Sequence, residues 1–412
     1  MSQRPALIVV GLTAVLGLLA GALGETDAGP LAGMGMPIAL VLIAFISAHG
    51  LWKTSQAVHA RKNMRRTDPL TGLPNGAQLR QDAGLFLDKR TATDQRALLI
   101  FDLVGFKKYN DAFGFASGDV LLRRLAGKLV IALGDMGIPY RLRGAQFAVV
   151  TTPDLSARVR TAATDALFET GEGFMIRCAQ GSVIIPHVAV RDISEALKLA
   201  DQEVQSERAA LRSQGIDDNA AGPLALEHSP TADSSPYDMA EVAIAVGQCL
   251  GLDGEELDTL EMSVTLRDVG MMAVPTDVLR STGRLTDDDW RFVQLHTLVG
   301  ERLLRSNFGM SQVAGVVRAS HERWDGGGYP DATSGEDIPL AARIVFVCGA
   351  FQDMTTPRAH RPALTALQAM REVNRCAGTQ FDPAVVAAFL GVCSERIDAP
   401  SEAPSSPPAP GA

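Results

Sequence analysis

Two apolar N-terminal helices, then an α/β domain with a mixed sheet, then an all-helical domain: this is the architecture the chain predicts. Three patterns carry it. Residues 5–24 and 30–52 are apolar stretches without an Asp, Glu, Lys or Arg. Residues 68–215 alternate strand-like and helix-like apolar spacing, and from about 237 to 395 the spacing is helical almost throughout. A length of 412 residues suits two or three domains better than one.

Each apolar stretch is about 20 residues long, enough as a helix to span roughly 30 Å of hydrocarbon. The loop between them carries Glu25 and Asp27 and no cation, whereas Lys53, Arg61, Lys62, Arg65 and Arg66 follow the second stretch. The positive-inside rule therefore places everything after Trp52 in the cytoplasm. The expectation is a transmembrane hairpin over 1–52 in a bacterial inner membrane, a basic juxtamembrane helix over 53–67, and both termini cytoplasmic. A cleaved leader is the alternative for the first stretch, because Ala20-Gly21-Ala22 offers small residues. Against it, only Arg4 precedes the apolar run and a second run follows at once.

In the α/β domain, 68–215, the run 97–103 suits a central strand, and 118–133 has helical spacing in Leu121, Leu122, Leu125 and Leu129. Residues 139–150 predict a hairpin turning near Arg143-Gly144. A helix over 156–169, a strand over 174–185 and a charged helix over 193–213 complete it. Two strings here, DPLTGLPN from Asp68 to Asn75 and FDLVGFKKYND from Phe101 to Asp111 followed by Gly114 and Gly118-Asp119, resemble the GGDEF (diguanylate cyclase) family. The resemblance implies a cyclase-like fold that binds GTP, with Asp102 at the metal and Asn110 and Asp119 at guanine. The naming motif aligns with Arg143, Gly144, Ala145, Gln146 and Phe147, and lacks both carboxylates. Magnesium wants anionic oxygen, so Asp102 alone makes a poor site and no cyclase activity is expected. Val104 stands where many relatives have a second aspartate, Phe115 replaces the usual histidine, and Gly134 and Gly137 fall where an R-x-x-D inhibition site would lie. Asn110, Asp111 and Asp119 are read either as nucleotide ligands or as turn-forming and capping polar residues.

Residues 216–236, rich in Gly, Asp, Asn, Ser and Pro, predict a linker. Helices follow over 239–250, 254–267, 286–305, 310–321, 340–355, 362–376 and 383–393 in a domain spanning 237–396. The segment 397–412, rich in Pro, Ala and Ser, is expected to be a disordered tail. The string SHERWDGGGYP from Ser320 to Pro330 resembles the HD-GYP phosphodiesterase family, whose name covers Gly328, Tyr329 and Pro330, with Asp325 in the same loop. LRDVG at 266–270, His296 with Gly300, IPLAARI at 338–344 and FDP at 381–383 support it. The resemblance implies hydrolysis of cyclic di-GMP on two or three metal ions, usually iron or manganese. It also shows where the cluster is lost: Arg267, Ser320 and Gly349 replace ligands, and Asp268, His296 and His321 remain. Asp238 stands at a common helix-start histidine and Met271 at a usual lysine. A guanidinium cannot coordinate a metal, and at 4 Å and an effective dielectric of 20 it would repel a dication by about 8 kcal/mol. The same cation can pair with Asp268 or with a ligand phosphate, or lie on the surface in a salt bridge.

The balance of 38 basic against 47 acidic residues, net −9, disfavours a nucleic-acid binder. Five scattered cysteines with no C-x-x-C pair suggest neither a zinc knuckle nor a disulfide framework. The sequence thus predicts a membrane-anchored regulator or scaffold in cyclic-dinucleotide signalling that works by binding GTP, cyclic di-GMP or a partner signalling protein, such as an active GGDEF or HD-GYP protein. No cofactor is expected; an active form would use divalent iron or manganese. An atypical active phosphodiesterase and a structural membrane-proximal hub without nucleotide binding are the alternatives.

Overall fold

The computed structural model describes residues 66–87, 95–185, 192–214, 238–306, 310–357 and 362–398. The two apolar stretches, nearly all of the basic segment and the linker lie outside the described residues. Among the described residues no helix is long and apolar enough to cross a membrane. The chain divides into one unit ending at Gln78 and another beginning at Leu79.

In the first unit the DPLTGLPN string builds a turn. The Asp68 carboxylate accepts from the Thr71 amide at 2.8 Å and its hydroxyl at 2.7 Å. Asn75 Oδ1 accepts from the amides of Ala77 and Gln78, capping a helix, α1 (Gly76–Leu87). The string therefore works as chain punctuation.

In the second unit the α/β elements run β1 (Arg96–Val104), α2 (Phe106–Phe113), α3 (Phe115–Leu133), β2 (Ile138–Arg143), β3 (Gln146–Thr151), α4 (Ser156–Leu167), β4 (Glu169–Gly171), β5 (Phe174–Ile185) and α5 (Ile193–Ser213). The sheet order is β2-β3-β1-β5-β4. Every pair of neighbours is antiparallel, which corrects the expected mixed sheet. The reason is topological: each helical crossover carries the chain past a neighbouring place, so β2 runs parallel to β1 but β3 lies between them. β1 is buried on both faces, which is why its apolar run is continuous. Leu98 and Ile100 pack with Ala196, Ala200 and Val204 of α5, while Leu99 and Phe101 point the other way and are equally buried. Helix α2, eight residues with two lysines, was not foreseen; it occupies the string read as a nucleotide-binding stretch.

The helical part comprises α6 (Met239–Cys249), α7 (Gly254–Leu266), a 3₁₀ turn (Val269–Ala273), α8 (Thr276–Leu279), α9 (Asp287–Ser306), α10 (Ser311–Ala319), α11 (Leu340–Thr355), α12 (Ala366–Arg375) and α13 (Pro383–Asp398). The last helix runs two residues into the expected tail. Met239, Val242 and Val246 of α6 pack against Ile344, Val347 and Phe351 of α11 and Phe389 of α13. Asp238 caps α6 by accepting from the amides of Ala240 and Glu241 at 3.0 and 3.2 Å. The IPLAARI and FDP strings meet in a partly buried ion pair, Arg343 Nη1 to Asp382 Oδ2 at 2.5 Å, with Arg343 also donating to the Ile338 carbonyl. None of the five cysteines, all among the described residues, forms a disulfide.

Candidate functional site

Two close approaches of backbone bring Asp268, His296 and His321 of the helical domain together. A Cβ at Gly270 would lie 1.9 Å from the His296 carbonyl, and one at Gly300 would lie 2.9 Å from Val317 Cγ1. Only glycine lets the 3₁₀ turn lie this near α9, and that contact sets Asp268 beside His296. His321, just after α10, completes the group: the ligand atoms of Asp268, His296 and His321 all lie within 4.8 Å of one another. His296 Nδ1–H donates to the Val293 carbonyl, so its Nε2 lone pair faces Asp268 Oδ1 at 4.0 Å, buried and with no hydrogen-bond partner. Burial depresses the pKa of both imidazoles, that of His321 to about 3. Both are therefore neutral near pH 7.

The charge in the site comes from Arg267, only 6% exposed. Its Nε donates to Asp268 Oδ2 at 3.0 Å and its Nη2 to Asp353 Oδ1 at 3.4 Å. Burial would raise the Asp268 pKa, but Arg267, then His296 and His321, override it and hold the carboxyl at about 2. The guanidinium lies against Gly349, where a Cβ would be 2.0 Å from Arg267 Nη1. Arg267 and Gly349 thus fit each other: the guanidinium occupies the room the glycine leaves. Ser320, also buried, spends its hydroxyl on the Val317 carbonyl at 2.8 Å, a bond within its own helical turn.

The loop from Asp325 to Pro330 closes over this group. Arg323 holds Asp325 through two bonds, at 2.9 and 2.6 Å, and Asp325 accepts from the Gly327 amide. A Cβ at Gly328 would meet Arg323 N at 2.3 Å, so the loop passes tight against its own start. Tyr329 stacks on His321 with centroids 5.1 Å apart, and Tyr329-Pro330 is a cis peptide. A cavity of about 1060 Å³ opens here, lined by Arg267, Asp268, His321, Tyr329, Trp290 and Arg280 among others. It is as large as the roomiest small-ligand sites, about 300–1,000 Å³.

In the α/β domain the polar residues do not converge in this way. Asp102 pairs with Arg208 of α5. Asn110 lies against Gly118, where a Cβ would be 1.8 Å from its Oδ1; that oxygen is buried without a partner. Asp111 and Asp119 are exposed. In the hairpin, Gly144 takes a left-handed φ of 53° at the turn and its carbonyl accepts from Arg141. Arg143 is exposed, the Ala145 carbonyl accepts from Leu103 N, Gln146 donates to Asp201 at 3.1 Å, and Phe147 is wholly buried. Arg208 and Asp353, the partners of Asp102 and Arg267, are missing from the sequence reading. Asp353 had a local signal, one helical turn after Gly349; Arg208 had none.

Comparison with known proteins gives two family matches. Residues 65–214 match the GGDEF domain of diguanylate cyclases, and residues 203–385 match the HD domain. The cyclic di-GMP phosphodiesterase response regulator RpfG of Xanthomonas campestris is 38% identical over 154 residues, 37% of this chain and 41% of that protein. A cyclic di-GMP phosphodiesterase of Thermotoga maritima is 34% identical over 162 residues, 37% of this chain and 44% of its own. A 3'3'-cGAMP-specific phosphodiesterase of Vibrio cholerae is 34% identical over 149 residues, 36% and 28% of the two chains. The match thus spans less than half the length of each of these relatives. Among solved structures, the coiled coil and GGDEF domain of DgcB from Caulobacter crescentus, in complex with c-di-GMP, aligns over 44% of this chain and 97% of its own at 17% identity and TM-score 0.35.

Proposed function

The chain carries a GGDEF domain followed by an HD domain, and from that premise we propose that it is a membrane-anchored regulator in cyclic di-GMP signalling that binds the nucleotide in the helical domain without cleaving it. The observation that carries this reading is the Arg267 guanidinium, seated in the space opened by Gly349 and paired with Asp268 and Asp353. It places a permanent cation on the cavity wall, and guanidinium is the side chain best matched to phosphate. In this proposal Asp268, His296 and His321 are vestigial metal ligands, and the loop from Asp325 to Tyr329 shapes the cavity mouth. The α/β domain serves as a binding or docking module, because Asp102 is paired with Arg208 and the hairpin from Arg143 to Phe147 offers no carboxylate.

A second reading rests on the unpartnered His296 Nε2. The donor set falls short of a two- or three-metal cluster, but Asp268, His296 and His321 fit a single ion. Divalent iron or manganese held there would supply Lewis acidity for a residual phosphodiesterase. Metal analysis of the purified chain separates the readings: less than about one equivalent is expected, because three donors beside a fixed guanidinium bind weakly. Replacing Arg267 and Ser320 by histidine and Gly349 by aspartate should raise the content; stoichiometric metal in the natural chain would favour the second reading.

The anchor is proposed from residues 5–24 and 30–52, with the domains in the cytoplasm. A reporter active only outside the cytoplasm, fused after Ala412, should stay silent; strong activity there would reverse the topology.

A further inference from the structure

The cavity around Arg267 has a wall that the helical domain does not supply. Gly171 and Glu172, at the β4–β5 turn of the α/β domain, line it as well. The turn is held there by several independent contacts. The Gly173 amide donates to the Met272 carbonyl at 3.3 Å, and a Cβ at Gly171 would come within 2.9 Å of the Val274 carbonyl. Tyr109, buried on α2, donates its hydroxyl to the Ala273 carbonyl at 2.8 Å, and its ring meets Phe174 edge-on at 4.7 Å. Beside the turn, Arg124 bridges Glu169 of β4 at 2.9 Å and Asp289 of α9 at 2.6 Å. The hairpin is thus clamped to the 269–273 segment, which directly follows Arg267 and Asp268.

We propose that Glu172 is a specificity-determining residue of this cavity, supplied by the α/β domain, and that it selects a nucleotide whose base presents paired N–H donors, a guanine. The inference rests on the reading that the cavity binds a cyclic dinucleotide, and it goes further by assigning base selection to the other domain. A carboxylate only accepts hydrogen bonds. Guanine offers two adjacent donors on one edge, its N1–H and its amino group, and these match the two carboxylate oxygens. Adenine places a ring lone pair at N1 beside its single amino group, so a carboxylate there meets a like charge density. The phosphates have Arg267 and Arg280 elsewhere on the lining. Glu172 is exposed, so its replacement removes a recognition group without opening the core.

The test is calorimetric titration of the full chain with cyclic di-GMP and with cyclic di-AMP. The natural chain should prefer cyclic di-GMP. Glu172→Ala should weaken cyclic di-GMP binding by about tenfold or more, the effect of losing a hydrogen bond to a charged group, and leave cyclic di-AMP binding no weaker, because the change removes a repulsion from adenine N1. Glu172→Asp should recover part of the preference, and Tyr109→Phe, which unpins the turn, should lower it. An unchanged preference in Glu172→Ala, with the natural chain still binding cyclic di-GMP, overturns this inference and leaves the cavity reading intact. Failure of the natural chain to bind either nucleotide overturns both.

Discussion

Gly349→Ala should destabilise the protein by about 1–3 kcal/mol, the usual cost of forcing a methyl into a filled core, and the same change should become neutral or stabilising once Arg267 is alanine. The added Cβ would lie 2.0 Å from Arg267 Nη1 and 2.9 Å from its Cζ, and the guanidinium is held on two sides by Asp268 and Asp353. It therefore cannot step aside without breaking a buried ion pair. With Arg267 truncated the space is open, and alanine in the middle of α11 gains the helix propensity that glycine lacks, about 1 kcal/mol. The sign of the Gly349 effect thus depends on residue 267. Arg267→Ala by itself should cost more, about 3–5 kcal/mol, because it removes one member of the buried Arg267–Asp268 ion pair. Urea unfolding of the four combinations gives the coupling directly. An equal cost of Gly349→Ala in both backgrounds would mean that Arg267 does not occupy that space in solution.

Three elements were legible at their observed bounds: β5, α5 and α11 coincide with the predicted 174–185, 193–213 and 340–355. β5 and α11 bury side chains along their length, whereas α5 buries Ile193, Ala196, Ala200 and Val204 and its later, charged residues keep helical spacing. Helix α2 escaped because eight residues give barely two turns, and its lysines interrupt the spacing. The pairing of strands escaped for another reason. Whether β1 meets β2 or β3 depends on how far a crossover carries the chain, and no local pattern encodes that distance. The convergence of Asp268, His296 and His321 was legible through family spacing, and the structure supplies its physical basis in Gly270 and Gly300. What Arg267 does could be posed from the sequence but not decided. Its choice among metal repulsion, pairing with Asp268 and surface exposure depended on the room at residue 349, 82 positions away (349 − 267). The pairing of Asp102 with Arg208 depended likewise on which face of α5 meets the sheet.

If Arg267 serves the ligand's phosphates in place of metal ions, cyclic di-GMP should be held by its guanidinium and released unchanged. Arg267→Lys keeps the charge but loses the planar fork that matches phosphate, so binding should fall by about tenfold, the order expected for a charge-assisted hydrogen bond. The direct measurement is to incubate the full natural chain with cyclic di-GMP in the presence of manganese or ferrous iron, separate bound from free nucleotide, and resolve both by chromatography. Saturable binding with the nucleotide recovered intact is the predicted result. Accumulation of the linear dinucleotide or GMP over many turnovers, or no binding at all, would contradict it.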